Sequence, residues 1–278
     1  MKLVHFGSAG SERPGVIHEG VLWDASTHTN AWTGEDFTEK RLAELMSSIG
    51  TFPEVPNAES LRYGAAVSKP GQIICVGLNY REHAEESDME VPDAPIAFSK
   101  SVHSISGPND DIRMPAHAEK LDWEIELAVV IGTDIYGPTQ QEAADAIAGY
   151  CIANDVSERA WQLETSGQWF KGKSAPTFCP LGPWVQIRDE TFNSEDLALK
   201  LWVNEELRQN SRTSLMIFSP ETIVYQLAQY IPFRPGDVVL TGTPSGVGLA
   251  TQTYLKSGDV VRAQIDGLGE QRQRVHRV

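Results

Sequence analysis

A chain of 278 residues with 41% hydrophobic content carries enough apolar material for one large domain, or a small and a large one, around a sizeable core. Its formal net charge of -15 argues against a nucleic-acid or anionic-membrane partner, because no basic patch is available to neutralise phosphates. Cys75, Cys151 and Cys179 are odd in number and form no Cys-x-x-Cys pair, which argues against a disulfide framework or a cysteine zinc site.

Residues 1–68 read as a small leading unit. Lys2–Phe6 and residues 15–23 have strand and hairpin character with a turn at Gly20, and residues 37–48 space Leu42, Leu45 and Met46 as a helix does. Only a short apolar run follows Lys2, so no signal peptide is expected, and no segment approaches the length of a membrane span; a cytoplasmic, reducing compartment is the expectation. Residues 53–62, with Pro53, Pro56, Asn57 and Ser60, resemble a linker.

After Pro70-Gly71 the pattern turns to buried strands at 72–76, 94–99, 126–131 and 150–155. Short amphipathic helices are expected at 139–147 and 220–230, the second with Ser219 as N-cap, Pro220 at its first position and Glu221 in its first turn. Residues 197–203 and 264–267 read as further strands, and the alternating tail with Arg272, Arg274 and Arg277 as an edge strand. Gly-Asp-Val-Val occurs at 236–239 and again at 258–261, a turn feeding a strand each time, which supports a rolled β architecture over alternating βαβ units. No phosphate-binding glycine loop is present.

Leu121-Asp122-Trp123-Glu124-Ile125-Glu126-Leu127 opens the most apolar strand with two carboxylates. Side chains of a strand alternate, so Glu124 and Glu126 share a face about 6–7 Å apart. Two like charges entering a core need neutralising, and a hard divalent cation does that with oxygen ligands. The wet face of a half-buried sheet would carry the same pair. Asp155, at the end of a second apolar strand, adds a third carboxylate and leaves room for a cation with open positions.

Other groups could serve chemistry or structure. His83 and Glu86 are three apart, which on a helix places them on one face as a general-base dyad; an exposed acidic helix would look alike. Lys173, in a polar loop with Gly172, could hold an enolate oxygen or be merely solvated. Arg159 and Gln162 would project from the side of Asp155 on a helix, lining a cavity or forming a salt bridge or cap. Thr241-Gly242-Thr243-Pro244 could present N–H groups and the Thr243 hydroxyl to an anion, or be a plain turn.

Taken together, Gly-Leu-Asn-Tyr-x-x-His-x-x-Glu at 77–86, Glu-x-Glu at 124–126, Asn-Asp-Val-Ser-x-Arg at 154–159, Gly-Lys-Ser at 172–174 and Thr-Gly-Thr-Pro-x-Gly-Val-Gly at 241–248 resemble the fumarylacetoacetate hydrolase family. The likeness runs from about residue 70 to the end. It implies a strand-rich α+β fold, a mixed β-sandwich roll, with a catalytic domain at 69–278 behind a small β-rich N-terminal domain at 1–68, and a homodimer. It implies Mg²⁺ or Mn²⁺ on Glu124, Glu126 and Asp155, catalytic His83, Glu86 and Lys173, and substrate contacts from Tyr80, Arg159, Gln162 and Thr243. Leu78 and Pro176 stand where many members have Arg or Lys and Asp, respectively. The segments at 157–162 and 167–169 resemble the subgroup of sugar-acid hydrolases. The expected activity is metal-dependent cleavage of a C–C bond in a 2,4-diketo acid, an acylpyruvate or a 2,4-diketo-3-deoxy-L-fuconate or L-rhamnonate, releasing pyruvate. Oxaloacetate decarboxylation and 2-oxo-alkenoate hydration or isomerisation are the alternatives on the same site.

Overall fold

The computed structural model describes residues 1–189 and 192–278. A nine-stranded mixed sheet forms its centre, in the order Val21–Asp24, Arg13–His18, Lys2–Phe6, Val185–Ile187, Ile147–Asn154, Ile125–Ile131, Val238–Leu240, Ile73–Gly77 and Ile96–Lys100. A five-stranded sheet, in the order Glu206–Arg212, Ala198–Val203, Val260–Ile265, Gly269–Arg277 and Ile112–Met114, covers one face. This is the strand-rich sandwich expected from the sequence.

The strand Ile125–Ile131 shows why the layers stack as they do. All seven residues are buried, so neither face meets water. Ile125, Leu127, Val129 and Ile131 point into the core shared with Leu199, Leu201, Val261 and Ala263 of the smaller sheet. Ala128 and Val130 point the other way, into a second core with Leu3, Trp32, Phe37 and Leu45 from the N-terminal segment. Burial on both faces explains the near-continuous apolar run. The N-terminal segment also joins the central sheet directly, since Lys2 and Leu3 pair with Gln186 and Val185.

Several boundaries shift for local reasons. The helix expected at 37–48 runs Glu39–Ser48, because Gly34–Phe37 forms a separate 3-10 turn capped by Thr33 and Asp36. The helix expected at 139–147 is Gln140–Asp145, closed by a Thr139–Glu142 capping box, because Ile147 already belongs to the next strand. Pro220–Ala228 has Ser219 as its N-cap, as expected. The arginine-bearing tail is not an edge: Gly269–Arg277 lies between Val260–Ile265 and the short parallel strand Ile112–Met114. The alternation that suggested an edge arises because Gln271, Gln273 and Val275 are buried while the arginines face out.

Strand directions set the position of the site. Ile73–Gly77 and Val238–Leu240 are parallel, and both run antiparallel to Ile125–Ile131. Ile147–Asn154 is antiparallel to Ile125–Ile131 as well. The exits of three strands and the entrance of the fourth therefore meet at one end of the sheet. The segments at 77–86, 124–126, 154–159 and 241–248 all start there.

Candidate active site

Glu124, Glu126 and Asp155 come together at that end, each offering an oxygen within 4.8 Å of the others. Their exposures are 4%, 1% and 0%. The wet-face alternative for Glu-x-Glu therefore fails, because the second core and the loops above it cover the face that alternation assigns to the pair. The site is locked by its backbone: Asp155 N–H donates to the Glu124 carbonyl at 2.8 Å, and Glu124 N–H donates to Asn154 Oδ1 at 3.1 Å.

Cations surround two of the three carboxylates. Lys173 Nζ lies 2.6 Å from Glu124 Oε2 and 2.8 Å from Asp155 Oδ2. Lys100 Nζ bonds the other Asp155 oxygen and the Val156 carbonyl. Arg159 donates to Glu124 Oε1 at 2.6 Å, to Asp122 Oδ2 at 2.8 Å and to Gln162 Oε1 at 2.9 Å. Burial alone pushes the Glu124 carboxyl up, but Lys173 and Arg159 outweigh it and hold the group below the ordinary carboxylate range. Lys173 is pushed down by burial and held above its ordinary value by Asp155 and Glu124.

Glu126 differs. Among the described residues no cationic side chain forms an ion pair with it, and the Gly242 N–H donates to its Oε2 at 2.7 Å. Burial, then the charges of Asp155 and Glu124, push its carboxyl well above the ordinary range. An uncompensated buried carboxylate beside two others is the donor set a hard divalent cation fits, so these residues suit Mg²⁺ or Mn²⁺.

His83 and Glu86 lie on the helix Arg81–Glu86, with His83 Nδ1 2.7 Å from Glu86 Oε1. Glu86 Oε2 accepts from Gly246 N–H at 2.8 Å, which docks the helix on the loop that carries Thr243. With a carboxylate holding Nδ1–H, His83 Nε2 is left as the basic atom. A cavity of about 170 Å³ is lined by His83, Glu124, Glu126, Gln162, Lys173 and Thr243 among others. Among the described residues, a larger surface cleft of about 640 Å³ near Thr38 and Asp134 holds no such cluster.

The structure relocates some expected site residues. Lys173 is not in a polar loop but ends the short helix Phe170–Lys173, fully enclosed. Gly172 makes that possible: a Cβ there would sit 2.6 Å from both the Glu158 carbonyl and Gln162 Cβ. Arg159 and Gln162 are on the helix Arg159–Leu163, so both alternatives hold at once: Arg159 is in a buried salt bridge and also lines the cavity. The Thr243 hydroxyl donates to the Ile125 carbonyl at 2.9 Å and accepts from Gln209 Nε2 at 2.8 Å. Tyr80 is buried with its hydroxyl unpartnered, but does not line the cavity.

Four residues that hold the site together had no role assigned from the sequence: Lys100 and Gln209, which lie in no motif, and Asp122 and Asn79, which lie inside quoted segments. Asp122 accepts from Arg159 and from the N–H groups of Gly248 and Leu249, which start a short helix, Gly248–Thr251, after the threonine turn. Asn79 donates to the Thr241 and Phe218 carbonyls at 2.7 and 3.0 Å, tying two loops together. Gly242, at φ +94, makes room for Asn79, whose Cβ a side chain would approach to 2.7 Å. Their partners are reached only through long-range register, which is why no local pattern gives their roles.

A buried carboxylate trio, a histidine–glutamate pair and an enclosed lysine gathered around one small cavity describe an enzyme. The family model described as fumarylacetoacetate (FAA) hydrolase C-terminal matches residues 72–276, and the chain belongs to that family. A Burkholderia ambifaria (strain MC40-6) protein whose name goes no further than "putative hydrolase" is 43% identical over 278 residues, 98% of each chain. The solved fumarylacetoacetate hydrolase of Exiguobacterium antarcticum is 32% identical with a TM-score of 0.83, covering 100% of both chains. A 5-carboxymethyl-2-hydroxymuconate delta-isomerase from Mycobacterium smegmatis is 33% identical with a TM-score of 0.79, over 100% of this chain and 99% of the other. Maleylpyruvate hydrolase from Sphingobium sp. SYK-6, solved with manganese(II) and pyruvate, is 27% identical with a TM-score of 0.81, over 100% of this chain and 99% of the other. Among the described residues no helix is long and apolar enough to cross a membrane.

Proposed function

We propose that this protein is a divalent-cation-dependent hydrolase that splits a 2,4-diketo acid between C3 and C4 and releases pyruvate. The observation that carries the reading is a single cavity lined by Glu124 and Glu126, which cluster with Asp155, and by His83, which Glu86 holds. The manganese and pyruvate named for the Sphingobium enzyme support the same cation and product class.

Glu124, Glu126 and Asp155 would hold the cation, which when bound supplies Lewis acidity at the 2-oxo acid end and compensates the enolate charge. Lys173 adds a charged donor to that same end. His83 Nε2 takes a proton from water as its oxygen bonds C4, while Glu86 holds the imidazole Nδ1–H. The C3–C4 bond then breaks with its electron pair moving to C3, and protonation at C3 gives pyruvate. C4 leaves as the carbonyl carbon of a carboxylic acid.

Arg159 holds Glu124 in position, and with Gln162 Oε1 engaged the Gln162 amide nitrogen is the donor left for substrate. Thr243 lines the cavity as a further substrate contact, whereas Tyr80, which does not line it, is left out of the contact set. Three free, buried thiols suit a cytoplasmic setting. A homodimer and an N-terminal unit at 1–68, which shares the central sheet, remain part of this reading, tested by sedimentation and by limited proteolysis.

A second reading is isomerisation of a 2-oxo-alkenoate on the same groups, favoured by the higher identity to the delta-isomerase than to the maleylpyruvate hydrolase. The test is a chelator-stripped sample assayed with Mg²⁺ or Mn²⁺ against acylpyruvates, 2,4-diketo-3-deoxy sugar acids, oxaloacetate and a 2-oxo-alkenoate. Pyruvate with the water oxygen in the acid product supports hydrolysis; double-bond migration without pyruvate supports the isomerase.

A further inference from the structure

The rest of the cavity wall tells which acyl half the site would accept. Leu78, Met89, Phe98, Leu163, Trp169 and Leu249 all line it. Phe98 and Trp169 meet edge to face at 5.2 Å between ring centroids, and the Lys173 ammonium lies 5.1 Å from the Phe98 centroid. One side of this aromatic pair therefore borders the charged end of the site. Leu78 is nearly buried and sits at φ +55, a conformation that a branched side chain seldom adopts. Asn79 pins the adjoining backbone through the Thr241 and Phe218 carbonyls, so Leu78 is held where it lines the cavity. Met89 and Leu163 are 48% and 44% exposed, leaving apolar surface in water at positions that border the cavity.

The cations point the same way. Arg159 and Lys173 are the lysine and arginine side chains in the lining, and both are already bound to carboxylates. A cation on the trio would free Lys173 for one substrate carboxylate, the one that every 2-oxo acid carries. A second carboxylate would be desolvated without a partner, which is costly. A polyhydroxylated chain would find only Ser87 and the Gln162 amide nitrogen beside the reacting groups, since the Thr243 hydroxyl is already bonded to Ile125 and Gln209, and nothing to bond along the leucines, methionine and aromatic rings. The cavity volume, about 170 Å³, is close to the roughly 150 Å³ that admits benzene, so the space is small as well.

We propose that this wall selects 2-oxo acids with a short, uncharged, apolar tail and rejects those with a second carboxylate or a hydroxylated chain. The inference rests on the 2-oxo acid reading of the site and narrows it to acylpyruvates with small alkyl acyl groups.

The test is calorimetric binding of 2-oxohexanoate and 2-oxoadipate to the Mn²⁺-loaded protein, two uncleaved acids that differ by a methyl against a carboxylate. The expected result is about 100-fold tighter binding of 2-oxohexanoate. Leu78→Arg is expected to narrow that gap at least about tenfold by strengthening 2-oxoadipate binding. Equal or tighter binding of 2-oxoadipate to the unaltered protein overturns the proposal. Pyruvate release from acetylpyruvate and from a 2,4-diketo-3-deoxy sugar acid is followed in parallel. If neither is cleaved but the binding preference holds, the hydrolase reading fails and the apolar selection stands. If the sugar acid is cleaved in preference, the hydrolase reading stands and the selection fails.

Discussion

The Lys173 ammonium sits 2.6 Å from the Glu124 carboxylate, both side chains enclosed by protein. The same ammonium reaches Asp155, so one lysine bridges two of the three candidate metal ligands. Lys173→Met would leave two buried carboxylates short of a partner. Without metal it is expected to cost about 3–5 kcal/mol, and saturating Mn²⁺ should recover part of that loss. Urea unfolding with and without Mn²⁺ reads both quantities. An unchanged midpoint in the stripped variant would mean that the bridge contributes nothing.

His83→Ala is expected to lower pyruvate release by about 10²- to 10⁴-fold while leaving Mn²⁺ affinity within a few-fold. Glu86→Gln should have a smaller effect in the same direction, because the imidazole keeps its place but loses its anionic partner. Steady-state rates paired with calorimetric Mn²⁺ titrations separate the dyad from the metal cluster.

The raised carboxyl of Glu126 sets a pH dependence whose sign can be worked out. Its ordinary value is 4.5, and burial with Asp155 and Glu124 moves it well upward. The folded chain therefore holds that proton more tightly than the unfolded chain does. Its contribution to stability is fully present below pH 4.5 and is lost as pH rises through the folded value. A divalent cation takes the place of the proton, so metal stabilisation grows over the same range. As pH rises above 4.5 the melting-temperature gap between Mn²⁺-loaded and stripped protein should widen. A gap that stays constant would contradict the assignment of Glu126.

Gly172 is a steric prediction. An added methyl would meet the Glu158 carbonyl and Gln162 at 2.6 Å, and backbone there has little freedom to yield. Gly172→Ala is expected to cost about 1–3 kcal/mol and to move Lys173 off its carboxylates, reducing pyruvate release more than Mn²⁺ binding. Thermal unfolding and rates measured on one preparation decide it.

The sequence carried a good part of this site because its spacing was local. Glu124 and Glu126 on one strand face, and His83 and Glu86 one helical turn apart, follow from periods of 2 and 3.6. Asp155 was legible as the end of an apolar run. Lys173 was legible as a residue but not in its setting, because a four-residue helix wrapped on Gly172 leaves no periodic trace. Lys100, Asp122, Asn79 and Gln209 act across sequence separations of 55, 37, 162 and 34 residues, distances that no window spans. The interior position of the tail strand was hidden for a similar reason: its outer neighbour, Ile112–Met114, is three residues long and lies far back in the chain.

The central claim is that the three carboxylates hold a cation on which pyruvate release depends. The direct measurement is pyruvate formation from acetylpyruvate by chelator-stripped protein before and after Mn²⁺ addition, for the unaltered chain and for Glu126→Gln. No release is expected from the stripped protein, with recovery on adding Mn²⁺ and less than about 1% of that recovery in Glu126→Gln, whose folded state the lost charge does not endanger. Equal rates with and without metal, or full recovery in Glu126→Gln, would contradict it.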